Sequence, residues 1–244
     1  MLHHLALIAT ALLTLAPAAR AQSAAVGADG SVTVALAAVA AGRELVVVLH
    51  GMGRTARSMR PVEEALEAAG FDVLNIGYSS YCCTIPELGE AVRHELDAKR
   101  KPEHTRIHFV GHSLGNIIAR WIVTQPSPPV GVTRLVMLAP PNQGSKMADR
   151  LTPMVGWLLE PIDELRTDSS ATVQQLAPLT DVQIGIIAGR DDRTVQLKET
   201  HVAGETAHVV VKANHTFIMR EAEVHRLTVE FLRTGRFTTP LAVR

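Results

Sequence analysis

Short apolar runs that alternate with segments of helical spacing constrain the fold of this chain more than any other feature. The runs lie at residues 44–50, 71–78, 106–110, 132–138, 182–188 and 208–212. Nearly continuous apolar runs of this length are typical of strands that are buried on both faces. Helical spacing follows most of them, at residues 58–69, 86–101, 115–125 and 216–231. The alternation predicts an α/β fold with a mostly parallel sheet of about six or seven strands and helices on both faces.

The composition is that of a globular protein. The chain has 244 residues, of which 47% are hydrophobic and 20% are charged, and this supplies enough apolar material for a large core. Lysine plus arginine and aspartate plus glutamate number 24 each, so no strongly basic surface is expected and nucleic acid is not an expected partner. We expect residues 22–244 to form a single domain.

The N-terminal residues 1–21 have the pattern of a signal peptide. An apolar run from Leu5 to Ala16 is followed by Pro17 and by an A-x-A pattern that ends at Ala21. A membrane anchor is the alternative, but the run is short for a segment that spans a bilayer. We expect cleavage near Ala21 and export of the mature protein, either to the periplasm or as a secreted protein.

The stretch GHSLG at residues 111–115 has the G-x-S-x-G pattern of a nucleophilic serine. It joins a predicted strand to a predicted helix, so Ser113 should lie on a sharp turn at the carboxyl end of a parallel strand, where ligands bind in open α/β sheets. The flanking glycines leave room for such a turn, and the amide of Leu114 at the helix N-terminus would face a developing anion. The alternative is a serine that only caps the helix.

Two residues that follow later strands complete a candidate catalytic triad. A serine hydroxyl needs a base to become a nucleophile, and His215 stands just after the last predicted strand. Asp192 follows the preceding strand, and its neighbour Asp191 is the alternative acid. We expect His215 to take the proton of Ser113 and return it to the leaving alcohol, while Asp192 fixes the imidazole tautomer and stabilises its charge.

The chain resembles α/β-hydrolases, and more narrowly bacterial esterases and lipases, through HGMG at 50–53, GHSLG at 111–115, GRDDRTV at 189–195 and NHTF at 214–217. APPNQGSKMAD at 139–149 is similar to the A-P-H-x-G-S-x-x-A-D stretch of bacterial lipases, although it has one extra residue and lacks the histidine. The resemblance spans about residues 44–233. It implies an α/β-hydrolase fold and an oxyanion hole in which the amide of Met52 joins that of Leu114.

Together these patterns predict a serine hydrolase that cleaves carboxylic esters, as an esterase or lipase, through an acyl-enzyme intermediate. No cofactor and no metal are expected, and the expected partners are small-molecule esters or lipids, with transient contact to a lipid surface. An acyltransferase with the same triad and a non-catalytic binding protein are the alternatives. A dinucleotide site at GMGRTA, residues 51–56, is disfavoured because the next strand ends without a carboxylate.

Residues 142–180 interrupt the strand–helix rhythm and are a candidate lid or cap. An apolar surface over the site could come from Leu151, Met154, Val155, Trp157, Leu158 and Leu159. The alternative for this segment is an ordinary packed helix. Neither the natural substrate, nor its acyl chain length, nor the oligomeric state follows from the sequence.

The only cysteines, Cys82 and Cys83, are adjacent in the sequence. Because exported proteins usually keep cysteines paired, a disulfide between neighbours and an intermolecular bridge both compete with two free thiols. The sequence leaves these three alternatives open.

Overall fold

The computed structural model describes residues 24–26, 32–34 and 42–238, and the predicted signal peptide at residues 1–21 lies outside them. The chain divides into two units, Met1–Ala41 and Gly42–Arg244. In the first unit, strands β1 (Ala24–Val26) and β2 (Val32–Val34) form an antiparallel pair. All the predicted site residues belong to the second unit.

A parallel sheet of six strands organises the second unit. Its strands are β3 (Arg43–Leu49), β4 (Asp72–Ile76), β5 (His104–His112), β6 (Val132–Leu138), β7 (Gln183–Gly189) and β8 (Ala207–Val211). They are ordered β4-β3-β5-β6-β7-β8, and every neighbouring pair is parallel. The progression across the sheet reverses after β4. The carboxyl ends of β3 and β5 therefore form a switch point, which is where ligands bind in such sheets.

Seven α-helices accompany the strands in the described part of the chain. They are α1 (Arg60–Ala68), α2 (Ile85–Lys99), α3 (Leu114–Thr124), α4 (Lys146–Val155), α5 (Glu160–Asp163), α6 (Thr172–Gln175) and α7 (Ala222–Thr234). Single turns of 3-10 helix lie at Ala56–Met59, Leu197–Glu199 and Ile218–Arg220. None of the described helices combines the length and the apolar character needed to cross a bilayer.

Helices cover both faces of the sheet, and the side chains of β3 show why its residues from Leu45 to Leu49 are all apolar. Val47 and Leu49 pack on one face with the buried residues of α2 and α3. Val46 and Val48 pack on the other face with those of α1 and α7. Because successive strand residues point to opposite faces, a strand covered on both sides has no position for a polar side chain. The predicted fold class is confirmed.

The predicted closing helix at 216–231 differs from the observed structure in a way that matters for the site. A 3-10 turn at Ile218–Arg220 comes first, and α7 starts only at Ala222, because the backbone of Glu221 is extended. His215 therefore lies in a loop between β8 and this turn. The loop is closed by Asn214, whose Oδ1 accepts a hydrogen bond from the amide of Phe217 at 3.0 Å.

Candidate active site

Ser113 occupies a backbone conformation that is rare for a residue with a side chain. Its φ is 51° and its ψ is −120°, at the single position between the end of β5 and the start of α3. The neighbouring glycines are required by space: a Cβ on Gly111 would lie 2.7 Å from the amide nitrogen of Asn116, and one on Gly115 would lie 2.6 Å from the carbonyl oxygen of Leu49. This turn presents the serine side chain at the switch point of the sheet.

Ser113, His215 and Asp192 form a hydrogen-bonded chain. His215 Nε2 lies 3.0 Å from Ser113 Oγ, and His215 Nδ1 lies 2.7 Å from Asp192 Oδ2. A carboxylate accepts but does not donate, so the ring proton resides on Nδ1 and leaves Nε2 free to accept the serine proton. The carboxyl ends of β5, β7 and β8 thus bring together three residues that are widely separated in the sequence.

The acid in contact with the histidine is Asp192, and its carboxylate is held from two sides. Its side chain is 1% exposed, and its Oδ1 accepts hydrogen bonds from the amides of Thr194 and Val195, both at 2.8 Å. Asp191 is exposed, and its backbone amide donates to the carbonyl of Ala213. The structure therefore brings Asp192 into the hydrogen-bonded chain and leaves the alternative acid at the surface of the turn.

His112 connects the serine turn to the loop that carries His215. Its Nε2 donates to the carbonyl oxygen of His215 at 2.9 Å. Burial lowers the pKa of His112 well below its ordinary value, so the ring is neutral at physiological pH. On its other side the ring fills the space over Gly51, where an added Cβ would lie 2.6 Å from Nδ1. The histidine next to the nucleophile therefore supports two of the loops that meet at the site.

Both residues predicted for the oxyanion hole lie beside Ser113. Leu114 is the first residue of α3, so its amide is among those that lack an acceptor within the helix. Met52 follows β3, and it lines the same cavity as Ser113 and His215. The amide of the next residue, Gly53, donates to Ser80 Oγ at 3.0 Å and fixes this turn. The donation of the Met52 and Leu114 amides to an oxyanion stays a prediction.

The histidine at the start of the oxyanion turn has a structural environment. His50 is fully buried, and its ring stacks on Tyr78 with 4.1 Å between centroids. Its Nδ1 donates to the carbonyl of Gly51 and its Nε2 accepts from the amide of Tyr78, which defines the tautomer. Burial lowers the pKa of His50, so this ring too is neutral. It shapes the loop and is enclosed by protein rather than open to the cavity.

An apolar cavity of about 290 Å³ opens at the serine. One wall comes from the sheet edge and the other from the cap segment, which we define as residues 142–180. The cap segment contributes Ser145, Met147, Ala148, Leu151, Leu159, Ile162 and Leu165, and the loops contribute Met52, Gly53, Tyr81, Pro141, Thr194 and Val195. A cavity of this size and character is suited to an acyl chain or another small apolar group.

The cap segment divides into residues that line the cavity and residues that face outward. Of the side chains predicted to cover the site, Leu151 and Leu159 line the cavity, and Val155 packs partly buried against the core. The other three are exposed: Met154 to 70%, Trp157 to 85% and Leu158 to 59%. The lining residues Met147 and Ala148 were missed, although their spacing from Leu151 on α4 could have indicated them.

The cap segment is fastened to the N-terminus of α2 by a partly buried carboxylate. Glu164 accepts a hydrogen bond from the amide of Ile85, the first residue of α2, and another from Thr172 Oγ1 at 2.5 Å. A carboxylate is stabilised at a helix N-terminus by the free amides there. Burial nevertheless raises the pKa of Glu164.

Within residues 42–238, no group of three or more His, Cys, Asp or Glu side chains is arranged to hold a metal ion.

The fold and this site define the class of the protein, which is that of the α/β-hydrolases. The family model of palmitoyl protein thioesterases matches residues 45–178, more than half of the chain. The chain belongs to the palmitoyl protein thioesterase family. The match includes Ser113 and Met52 but ends before Asp192 and His215. No curated protein matches the chain by sequence.

Solved structures of hydrolases share this fold at low sequence identity. The mature lipase of Bacillus licheniformis superposes with a TM-score of 0.67 at 16% identity, over 80% of this chain and 92% of that one. An esterase of Pyrococcus furiosus has a TM-score of 0.56 at 22% identity, over 79% and 83% of the two chains. A hydrolase of Pseudomonas aeruginosa has a TM-score of 0.56 at 20% identity, over 86% and 98%. At these identities the similarity concerns the fold alone.

Proposed function

We propose that this protein is a serine hydrolase that cleaves carboxylic esters through an acyl-enzyme intermediate. The observation that carries the proposal is the hydrogen-bonded chain of Ser113, His215 and Asp192, which ends in an apolar cavity. A serine that only capped α3 would not need a histidine within hydrogen-bonding distance, nor a buried carboxylate behind that histidine. Membership of a thioesterase family supports the same class of chemistry.

In the proposed reaction, Ser113 Oγ attacks the carbonyl carbon of the ester while its proton passes to His215 Nε2. Negative charge develops on the carbonyl oxygen, and the amides of Met52 and Leu114 stabilise it. The bond to the leaving alcohol breaks, and the alcohol takes the proton from His215. A water molecule then gives a proton to His215 and attacks the acyl carbon. The bond to Ser113 Oγ breaks, Oγ takes the proton from His215, and the acid is released. Asp192 stabilises the positive charge on the imidazole in both halves.

The character of the cavity supports the proposal that the protein binds the acyl group of its substrate. Its walls next to Ser113 are mostly apolar, and the cap segment supplies seven of the fifteen lining residues. The exposed side chains Met154, Trp157 and Leu158 on the outside of the cap segment support transient contact with a lipid surface. We also propose export, which the pattern of residues 1–21 supports, and N-terminal sequencing of the exported protein would test it.

The family match favours thioesters as a second candidate substrate class. The proposed mechanism needs little change, because a thiolate leaves without the proton that an alkoxide requires. Initial rates on matched oxygen esters and thioesters of the same acyl group would distinguish the two. Added acceptor alcohols would reveal an acyltransferase, since the acyl group would then appear on the acceptor instead of in the free acid.

The decisive test compares wild type with Ser113→Ala on nitrophenyl esters from acetate to palmitate. We expect the variant to lose kcat by about a millionfold, as when a triad nucleophile is removed. Ser127→Ala is the matched control. Ser127 is exposed in the loop before β6, at the amino ends of the strands, whereas Ser113 lies at their carboxyl ends. A fluorophosphonate should label wild type and the control but not Ser113→Ala. Equal ester cleavage by Ser113→Ala would end the proposal.

A further inference from the structure

The two cysteines are bonded to each other in the loop between β4 and α2. A disulfide between neighbours closes a small ring that includes their shared peptide, so it restricts the backbone at both residues. Cys83 has a φ of 76°, in the left-handed region that residues with side chains rarely adopt. The ring therefore holds the chain in a course that it would seldom take on its own.

On one side, this loop reaches the oxyanion turn. Tyr81, which directly precedes the disulfide, lines the cavity beside Ser113. Its hydroxyl lies over Gly53, where an added Cβ would be 3.8 Å from Tyr81 Oη. The buried Ser80 accepts the hydrogen bond from the amide of Gly53. Residues 80–81 thus contact the turn that presents Met52 and also form part of the cavity wall.

On the other side, the loop holds the cap segment. The carbonyl of Tyr81 accepts a hydrogen bond from the amide of Glu160 at 3.2 Å, and the amide of Cys83 donates to Glu160 Oε2 at 2.9 Å. Glu160 is the first residue of α5, and the residues on either side of it that face the cavity are Leu159 and Ile162. The disulfide joins Cys83, which makes the second of these hydrogen bonds, to Cys82, which directly follows Tyr81. A change in the backbone of Cys82 or Cys83 would therefore shift both Tyr81 and α5.

We infer that Tyr81 is a specificity-determining residue of the acyl cavity and that the Cys82–Cys83 disulfide is the element that positions it. The inference rests on the proposed function, because it concerns the same cavity. The ring fixes Tyr81 over the oxyanion turn and keeps α5 against the loop, so that the cavity has a defined shape beyond the reacting carbonyl. Long acyl groups contact this wall, whereas an acetyl group reaches only the triad and the oxyanion turn.

A dithiol tests the inference directly, because the chain has no other cysteines for it to reduce. The dithiol is oxidised to its cyclic disulfide, and its two electrons and two protons convert Cys82 and Cys83 to thiols. We expect kcat/KM for long-chain nitrophenyl esters to fall by about tenfold, mainly through KM, as when apolar contacts to a substrate are lost. Acetyl ester cleavage and fluorophosphonate labelling of Ser113 should stay unchanged, and reoxidation should restore the long-chain rate.

Substitutions separate the ring from the side chain that it positions. Tyr81→Ala should lower the long-chain rate as reduction does, and reduction of that variant should then add little. Tyr81→Phe keeps the aromatic ring and removes only the hydroxyl, so it should lower the long-chain rate less than Tyr81→Ala does. Cys82→Ala combined with Cys83→Gly gives a second route, since glycine adopts the φ of Cys83 without strain. It should resemble the reduced protein.

Two results would overturn the inference while leaving the proposed function intact. One is an unchanged ratio of long-chain to acetyl rates after reduction, in a protein whose two thiols have been shown by alkylation to be free. The other is the recovery of two free thiols from the protein as purified under oxidising conditions. Failure of the proposed function gives a different result, because wild type would then cleave no ester of any chain length.

Discussion

Replacement of Asp192 by asparagine reverses one hydrogen-bonding group in the triad and leaves the shape of the site intact. In the wild-type protein the carboxylate accepts from His215 Nδ1 at 2.7 Å and from the amides of Thr194 and Val195 at 2.8 Å. The carbonyl oxygen of asparagine can keep the two backbone hydrogen bonds. Its amide group must then face His215, and it can only donate. We therefore expect a folded protein in which the imidazole has a different tautomer.

The size of the effect follows from this geometry. Two donors cannot face each other at 2.7 Å, so the ring proton moves to Nε2, the atom that must accept the proton of Ser113. The variant also lacks the charge that stabilises the imidazolium. Loss of both contributions in a triad of this kind lowers kcat by about 10⁴. This corresponds to about 5.5 kcal/mol of transition-state stabilisation at 1.36 kcal/mol for each factor of ten.

The assay is kcat on a soluble nitrophenyl ester, together with the free energy of unfolding in denaturant. Asp191→Asn is the matched control, because it makes the same substitution at the adjacent, exposed aspartate, and its kcat should stay within about twofold of wild type. The reasoning is wrong if Asp192→Asn retains a tenth of the wild-type kcat. It is equally wrong if the two asparagine variants lose activity to the same extent.

Two further predictions concern packing and pH. Gly115→Ala introduces a Cβ 2.6 Å from the carbonyl oxygen of Leu49, so it should lower the free energy of unfolding by about 1–3 kcal/mol and slow fluorophosphonate labelling. Gly77→Ala, whose Cβ would meet its nearest neighbour at 3.7 Å, should do neither, and equal losses in both would refute the argument. Burial lowers the pKa of His108 to about 4, with a smaller contribution in the same direction from the positive charges of nearby arginines. As the pH drops, this histidine therefore binds a proton in the unfolded chain before it does so in the folded protein. The free energy of unfolding should fall by about 3 kcal/mol between pH 6.5 and pH 4. His108→Gln should remove that part of the acid dependence in denaturant titrations, whereas the exposed His94→Gln should leave it in place; parallel pH profiles for the two variants would contradict the assignment.

The sheet could be predicted because strands that are buried on both faces have nearly continuous apolar sequences. Strand β6, Val132–Leu138, begins and ends where the apolar run predicts. The position of Ser113, Asp192 and His215 relative to one another followed from a single geometric fact, which is that carboxyl ends of parallel strands meet at one edge. That argument needs no knowledge of loop conformation, since the strands alone decide where each loop starts.

The cavity could not be predicted in the same way, because its walls come from segments without periodicity. Tyr81 is a single aromatic residue in a loop, and no spacing rule connects it to Leu159 or Ile162, which lie about eighty residues further along. Helix α5 has only four residues, so its hydrophobic pattern is too short to identify. The extended backbone at Glu221, which separates α7 from the loop of His215, could not be predicted either, because the residues on both sides of it have helical spacing.

Residues with a strained backbone conformation lie close to the candidate active site. Within the described residues, three positions other than glycine have a positive φ: Cys83, Ser113 and Ala139. Ser113 lines the cavity itself, and each of the other two lies two residues from a lining residue, Tyr81 and Pro141 respectively. Such conformations persist only where the surroundings over-determine them, and they cluster where function needs a fixed geometry. All three strained positions therefore lie in the cavity wall or within two residues of it, so the fixed backbone is concentrated around the serine.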